Sequence, residues 1–143
     1  MIYTPATKKA LNICFEAHVE QKDKSGLPYV FHPFHLAEQM ETEETIIIAL
    51  LHDVVEDSDI SLEDLANEGF SKEIIEALAL LTHNDGSKYP DYVARIKKNP
   101  LAKTVKLADL KHNSDITRLD VVDEKALERR KKYLDAIKFL EEN

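Results

Sequence analysis

The stretch ALLHDVVEDSD, Ala49–Asp59, carries an apolar run straight into a histidine and a cluster of acids. Leu50 and Leu51 are followed directly by His52 and Asp53, and one turn later by Glu56 and Asp57. An unpaired buried carboxylate costs several kcal/mol, so charge at the end of the most apolar segment needs a partner. On a helix His52 and Glu56 are four apart, as are Asp53 and Asp57, so each pair shares a face. His52 and Asp53 are adjacent, about 100° apart, and can both reach one ion at the rim of a cleft. A second array lies in KLADLKHNSD, where Asp109 and Asn113 are four apart behind Val105 and Leu107. A third element is His32, displayed just before Pro33. Two imidazoles and two carboxylates form a mixed donor set that suits Mn, Fe or Zn rather than Ca.

Helices must position these groups. Thr4 suits an N-cap with Pro5 at the first helical position, and Ala6, Ala10, Ile13 and Ala17 share one face. Gln21–Tyr29 reads as a polar loop broken by Gly26 and Pro28. A residue before proline avoids the helical region, so His32 is expected at a loop–helix junction ahead of Leu36, Ala37 and Met40. Thr42, Glu43 and Glu44 open a third helix that should run through IIIALLHDVVED. Ser61 and Asp64 resemble a capping box, Gly69 stops the short helix they begin, and Ser71 can cap the next, to about Leu81. Asn84–Gly86 is a turn, Tyr89–Lys98 a helix, and Pro100 restarts the chain as the segment holding Asp109. Ala126, Tyr133, Ile137 and Leu140 give the C-terminal segment helical spacing. The expected architecture is all-α, one domain over residues 1–143 with roughly seven or eight helices.

Composition excludes several classes. At 143 residues, 43% hydrophobic and 32% charged, the chain can close one real core. A single cysteine, Cys14, in an apolar helix pattern, rules out a disulfide framework and a Cys-rich zinc site. The N-terminal MIYTPATKKAL lacks a signal-peptide core, and no run approaches the ~18 apolar residues of a membrane span, so the cytoplasm is the expected location. A net charge of −8 argues against nucleic-acid binding, which needs a basic surface.

The order of His32, the doublet His52-Asp53 and Asp109 resembles the HD-domain metal-dependent phosphohydrolases. The flanking blocks HVEQKDKSGLPYVFHP, ALLHDVVEDSDIS and VKLADLKHNSD are more specific, and look like the hydrolase domain of the RelA/SpoT-type alarmone enzymes, including their small stand-alone relatives. The likeness runs from about His18 to Asp115. It implies a helical HD-type bundle with His32, His52, Asp53 and Asp109 as metal ligands and Mn²⁺ as the usual ion. Glu56 and Asp57 match the acidic pair that orients or deprotonates the attacking water, Asn113 matches a substrate-contacting position, and Lys24 and Ser25 match the loop that touches the nucleotide. Lys106 is a further candidate, since a phosphate substrate needs cations.

Three positions depart from the alarmone-hydrolase pattern. Asp23 stands where the family usually has a base-stacking arginine, Leu110 replaces the arginine after the distal aspartate, and Ile116 replaces a threonine. Asp23 therefore sets a negative charge beside a polyanionic substrate, and weak base discrimination is expected. His112 is expected to pack behind the ligands, His35 to lie on the surface, and His18 and His83 to be structural or exposed. The run Glu128–Lys132 reads as a solvated helix face. The resemblance implies hydrolysis of the 3′-pyrophosphate of (p)ppGpp, without a synthetase domain. Alternatives are an HD hydrolase for another phosphorylated metabolite, such as a nucleoside monophosphate or NADPH, and a non-catalytic nucleotide-binding HD domain. Partners are the phosphorylated nucleotide and a second copy in a homodimer, with no nucleic acid and no membrane.

Overall fold

The computed structural model describes residues 1–143 and is all-helical. Nine α-helices follow in order: α1 Pro5–His18, α2 Phe31–Glu38, α3 Glu43–Leu51, α4 Val54–Asp57, α5 Leu62–Asn67, α6 Lys72–Leu81, α7 Tyr89–Lys97, α8 Pro100–Asn113 and α9 Glu124–Glu141. A 3-10 turn covers Ile116–Arg118, and the only β pairing is an isolated bridge between Lys22 and Pro28. No helix is long and apolar enough to cross a membrane.

Most helix starts are where side-chain caps allow them. Thr4 and Thr7 form a reciprocal capping box at α1, and Ser61 and Asp64 form another at α5. Thr42, Ser71, Asn99 and Asp123 accept from backbone N–H groups at the starts of α3, α6, α8 and α9.

The core forms around α3, in which all seven residues from Thr45 to Leu51 are buried. A helix that is apolar all round has no solvent face, and α3 accordingly packs against α1, α2, α6 and α8. Each fully buried Ile or Leu contributes about 1.5–3 kcal/mol relative to exposure, so Ile46, Ile47, Ile48, Leu50 and Leu51 fix this helix firmly. The chemistry-bearing residues lie just past its end. α8 packs beside it with α7 and α9 on its flank, and α2 crosses both α3 and α8.

Two boundaries differ from the sequence reading. The third helix does not run on through Asp57 but breaks at His52 and Asp53 before the single turn α4. The His52 ring folds back so that Nδ1 donates to Ala49 O at 2.6 Å, occupying the carbonyl that the Asp53 N–H would reach in a continuous helix. His32, in turn, lies inside the first turn of α2 rather than ahead of it. Pro33 is tolerated there because the first N–H groups of a helix have no intrahelical partner.

Candidate metal centre and adjoining cavities

Three segments bring their donors together. His32 enters from the first turn of α2, His52 and Asp53 from the break between α3 and α4, and Asp109 from α8. Candidate donor atoms of His32, His52 and Asp109, all three residues buried, lie within 4.8 Å of one another, a cluster that could hold a metal ion. Asp109 Oδ1 is 2.8 Å from His32 Nε2 and 3.5 Å from His52 Nε2, while Asp53 Oδ2 is 3.1 Å from His52 Nε2.

The donor chemistry fits a cation. With Nδ1 of His52 donating to a carbonyl, Nε2 carries the lone pair, yet it is buried without a hydrogen bond and faces two carboxylates. Electron pair against anion is repulsive unless a proton or a metal lies between them. The electrostatics follow. Burial opposes the charged form of His52, but Asp53 and Asp109 outweigh it and push its pKa well above the ordinary value. Burial likewise opposes ionisation of Asp53, whose pKa is nonetheless lowered to about 2, chiefly by His52. Asp109 is held well below the carboxylate range against its burial by Lys106, His32 and His52. Lys106 Nζ lies 2.9 Å from Asp109 Oδ2 and Asn113 Nδ2 donates to Oδ1 at 3.0 Å, so both oxygens of this carboxylate have partners.

One cavity borders the cluster and a second adjoins the first. The first, of about 240 Å³, is lined by His52, Asp53, Asp109, Glu56 and Lys106. Glu56 accepts from the backbone N–H of His83 through Oε1. Burial raises its pKa, Asp53 and Asp57 add to this, and the His83 bond opposes it without cancelling. The second cavity, of about 270 Å³, is bordered by Lys22–Ser25 on one side and by Arg118 and Arg129 on the other. Asn113 and Tyr133 line both, so the two spaces adjoin.

The remaining residues singled out from sequence fall on the rim. Asp57 is exposed, outside the 240 Å³ cavity, and accepts from Gln21 Nε2 at 3.1 Å. Lys24 and Ser25 border the larger cavity, and Ser25 Oγ donates to Arg118 O at 2.6 Å. Asp23 is not a free charge. Its Oδ1 accepts from the N–H groups of Ser25 and Leu27 at 2.9 and 3.0 Å, which closes the loop over Gly26 (φ 85°), and its Oδ2 pairs with Arg118 at 3.8 Å. Leu110 is buried in the core, and Ile116 borders the larger cavity.

Several participants were not legible beforehand. Tyr29 donates from its hydroxyl to Asp53 Oδ2 and touches both His18 and His32. Its only signal was its place three residues before His32. Arg129 and Lys132, read as part of a solvated face, border the larger and smaller cavity respectively, because α9 docks on α8 with that edge inward. Arg118 gave no spacing signal at all.

Comparison with known proteins finds several similar chains. A guanosine-3′,5′-bis(diphosphate) 3′-pyrophosphohydrolase of Aquifex aeolicus is 38% identical over 86 residues, covering 57% of this chain and 12% of that protein. The bifunctional (p)ppGpp synthase/hydrolase SpoT of Escherichia coli is 31% identical over 121 residues, 74% of this chain and 17% of its own. A solved metazoan SpoT orthologue, described as hydrolysing ppGpp, superposes with a TM-score of 0.77 at 24% identity, over 98% of this chain and 85% of the other. In sequence the chain is similar to these RelA/SpoT-type proteins. Its helical fold is that of the solved orthologue. No family model matches the chain. The two curated proteins are much longer, and the chain spans 12% and 17% of their lengths.

Proposed function

We propose that the protein is a metal-dependent phosphohydrolase that removes the 3′-pyrophosphate from (p)ppGpp, with Mn²⁺ as the ion and His32, His52, Asp53 and Asp109 as its ligands. The observation that carries this reading is the Nε2 of His52, buried without a hydrogen bond and facing two carboxylates beside a cavity that also holds Glu56 and Lys106. A divalent ion at this cluster would lower the pKa of water and offset charge on a phosphoryl oxygen.

The chain's own residues supply the rest. Glu56 is fixed through Oε1 by His83, which leaves Oε2 to take the proton of the attacking water. Its raised pKa brings it nearer to neutrality, where a base both accepts and returns a proton. Water adds to the phosphorus next to the 3′ oxygen, the bond to that oxygen breaks, and the proton gained by Glu56 is available to the departing hydroxyl. Lys106 stays charged, since Asp109 beside it outweighs its burial, and it balances negative charge on the phosphates. The larger cavity receives the nucleoside and its 5′-diphosphate, with Lys24, Ser25, Arg118 and Arg129 at its border and Asn113 at the junction. Asp57 orients Gln21 at the rim. We assign the activity to the cytoplasm, where such nucleotides are made.

A panel assay of the Mn²⁺-loaded protein tests the reading. The highest kcat/KM is expected for ppGpp and pppGpp. A higher value for NADPH or a nucleoside monophosphate would move the protein to another substrate class.

A further inference from the structure

His32 does not meet the cluster alone. Its Nδ1 lies 2.7 Å from Nδ1 of His112 on α8, with ring planes within 5° and centroids 4.9 Å apart. At that nitrogen separation and centroid distance the two imidazoles lie edge to edge, the arrangement of an in-plane N–H···N hydrogen bond. Two lone pairs cannot face each other at 2.7 Å, and neither can two protons, so one nitrogen of the pair carries a hydrogen. Which one carries it decides what His32 can do at its other nitrogen.

There are two neutral arrangements. If His112 holds the shared proton, His32 accepts at Nδ1 and its Nε2–H donates to Asp109 Oδ1, 2.8 Å away. His32 is then an ordinary buried histidine with no electron pair to offer. If His32 holds the shared proton, its Nε2 presents a lone pair to the same carboxylate, and a cation belongs between them. The interchange balances: His32 loses the Nε2 proton to solvent, the shared proton moves from His112 Nδ1 to His32 Nδ1, and His112 gains a proton at Nε2 from solvent.

We propose that His112 is the positioning residue of the metal centre, accepting from His32 Nδ1–H and so fixing the tautomer in which His32 Nε2 is a ligand. The backbone holds His112 ready for this, because Arg118 donates to His112 O at 2.9 Å. The His35 ring packs against that of His112, with centroids 4.2 Å apart. Partners behind a ligating histidine usually are carboxylates, carbonyls or water, and losing one weakens metal binding about 10–100-fold. The inference rests on His32 being a ligand and not on the identity of the nucleotide.

The test is direct binding of Zn²⁺, a diamagnetic probe, by calorimetry, with ¹⁵N NMR of the histidines. His112→Phe keeps the ring and removes the acceptor, and should weaken binding about 10–100-fold. His112→Asn places an amide oxygen near the lost Nδ1 and should restore affinity to within about threefold of the wild type, which a purely space-filling role would not do. In the loaded wild type, His32 should show a protonated Nδ1. Unchanged affinity in His112→Phe, failure of His112→Asn to bind better than His112→Phe, or a His32 protonated at Nε2 in the loaded protein each overturns the assignment. Should His112→Phe not fold, the Asn variant and the wild-type spectrum still decide. A wild type that takes up no divalent ion would instead sink the metal reading itself, before His112 is at issue.

Discussion

The donor cluster and the adjoining 270 Å³ cavity are built in opposite ways. At the cluster, the side chains of His32, His52 and Asp109 are 2%, 4% and 7% exposed, and each is held by the others. Around the larger cavity, the groups come from the loop before α2, the turn after α8 and one edge of α9, and Lys22 and Lys24 are exposed to solvent. Charges in the first region are strongly coupled because water cannot screen them, whereas a partly solvated pair at 3.8 Å such as Asp23 with Arg118 is worth little. One change in the cluster should therefore disturb chemistry, metal binding and stability together. One change at the rim should be absorbed.

The largest effect is expected from Asp109→Ala. It removes the acceptor shared by His32, Lys106 and Asn113 and leaves buried groups unpaired. Loss of divalent-ion uptake and of hydrolysis should accompany about 3–5 kcal/mol of lost stability in urea unfolding. A variant with wild-type ion affinity would show that the cluster is not coupled as described.

Glu56→Gln separates chemistry from binding within the same region. The His83 N–H can still donate to the amide oxygen, so fold and ion affinity should persist while turnover drops roughly 10²–10⁴-fold. If ion affinity falls as well, Glu56 is a ligand and its role as base is misassigned.

Adding Mn²⁺ to chelator-stripped protein measures the cluster as a crosslink between α2, the end of α3 and α8. At a hundred times Kd, stabilisation should be about 2.7 kcal/mol, read as a rise of several degrees in Tm. An unchanged Tm would mean that the ion, if bound, does not join the three segments.

How much of this was legible in the sequence follows the same division. His32, His52, Asp53 and Asp109 were visible because imidazoles and carboxylates beside apolar runs stand in the order of the HD pattern they resemble, and the structure brings those four together. The all-α class was visible in the caps and periodicity. The break after α3 was not, because it turns on a side chain taking a backbone carbonyl, the His52 bond to Ala49 O. Arg129 and Lys132 looked solvated because α9 alone reads as a charged helix, and only its docking on α8 turns that edge toward the cavities. Asp23 looked like an uncompensated charge, since nothing local reveals that Arg118 would reach it.

That last pair gives the smallest prediction. Asp23→Asn keeps an acceptor for the Ser25 and Leu27 N–H groups but removes the charge beside Arg118. Stability should change by about 0.2–1 kcal/mol at most. Freeing Arg118 should lower KM modestly, within about threefold, for guanine and adenine substrates alike. A change confined to the guanine substrate would mean that Asp23 reads the base.

The account turns on one reaction, and product analysis reads it directly. Mn²⁺-loaded protein and ppGpp, followed by ³¹P NMR, should yield GDP and intact pyrophosphate in equal amounts, with Glu56→Gln nearly silent under the same conditions. Orthophosphate as the first product, or ppGpp left unchanged by a fully loaded protein, would contradict it.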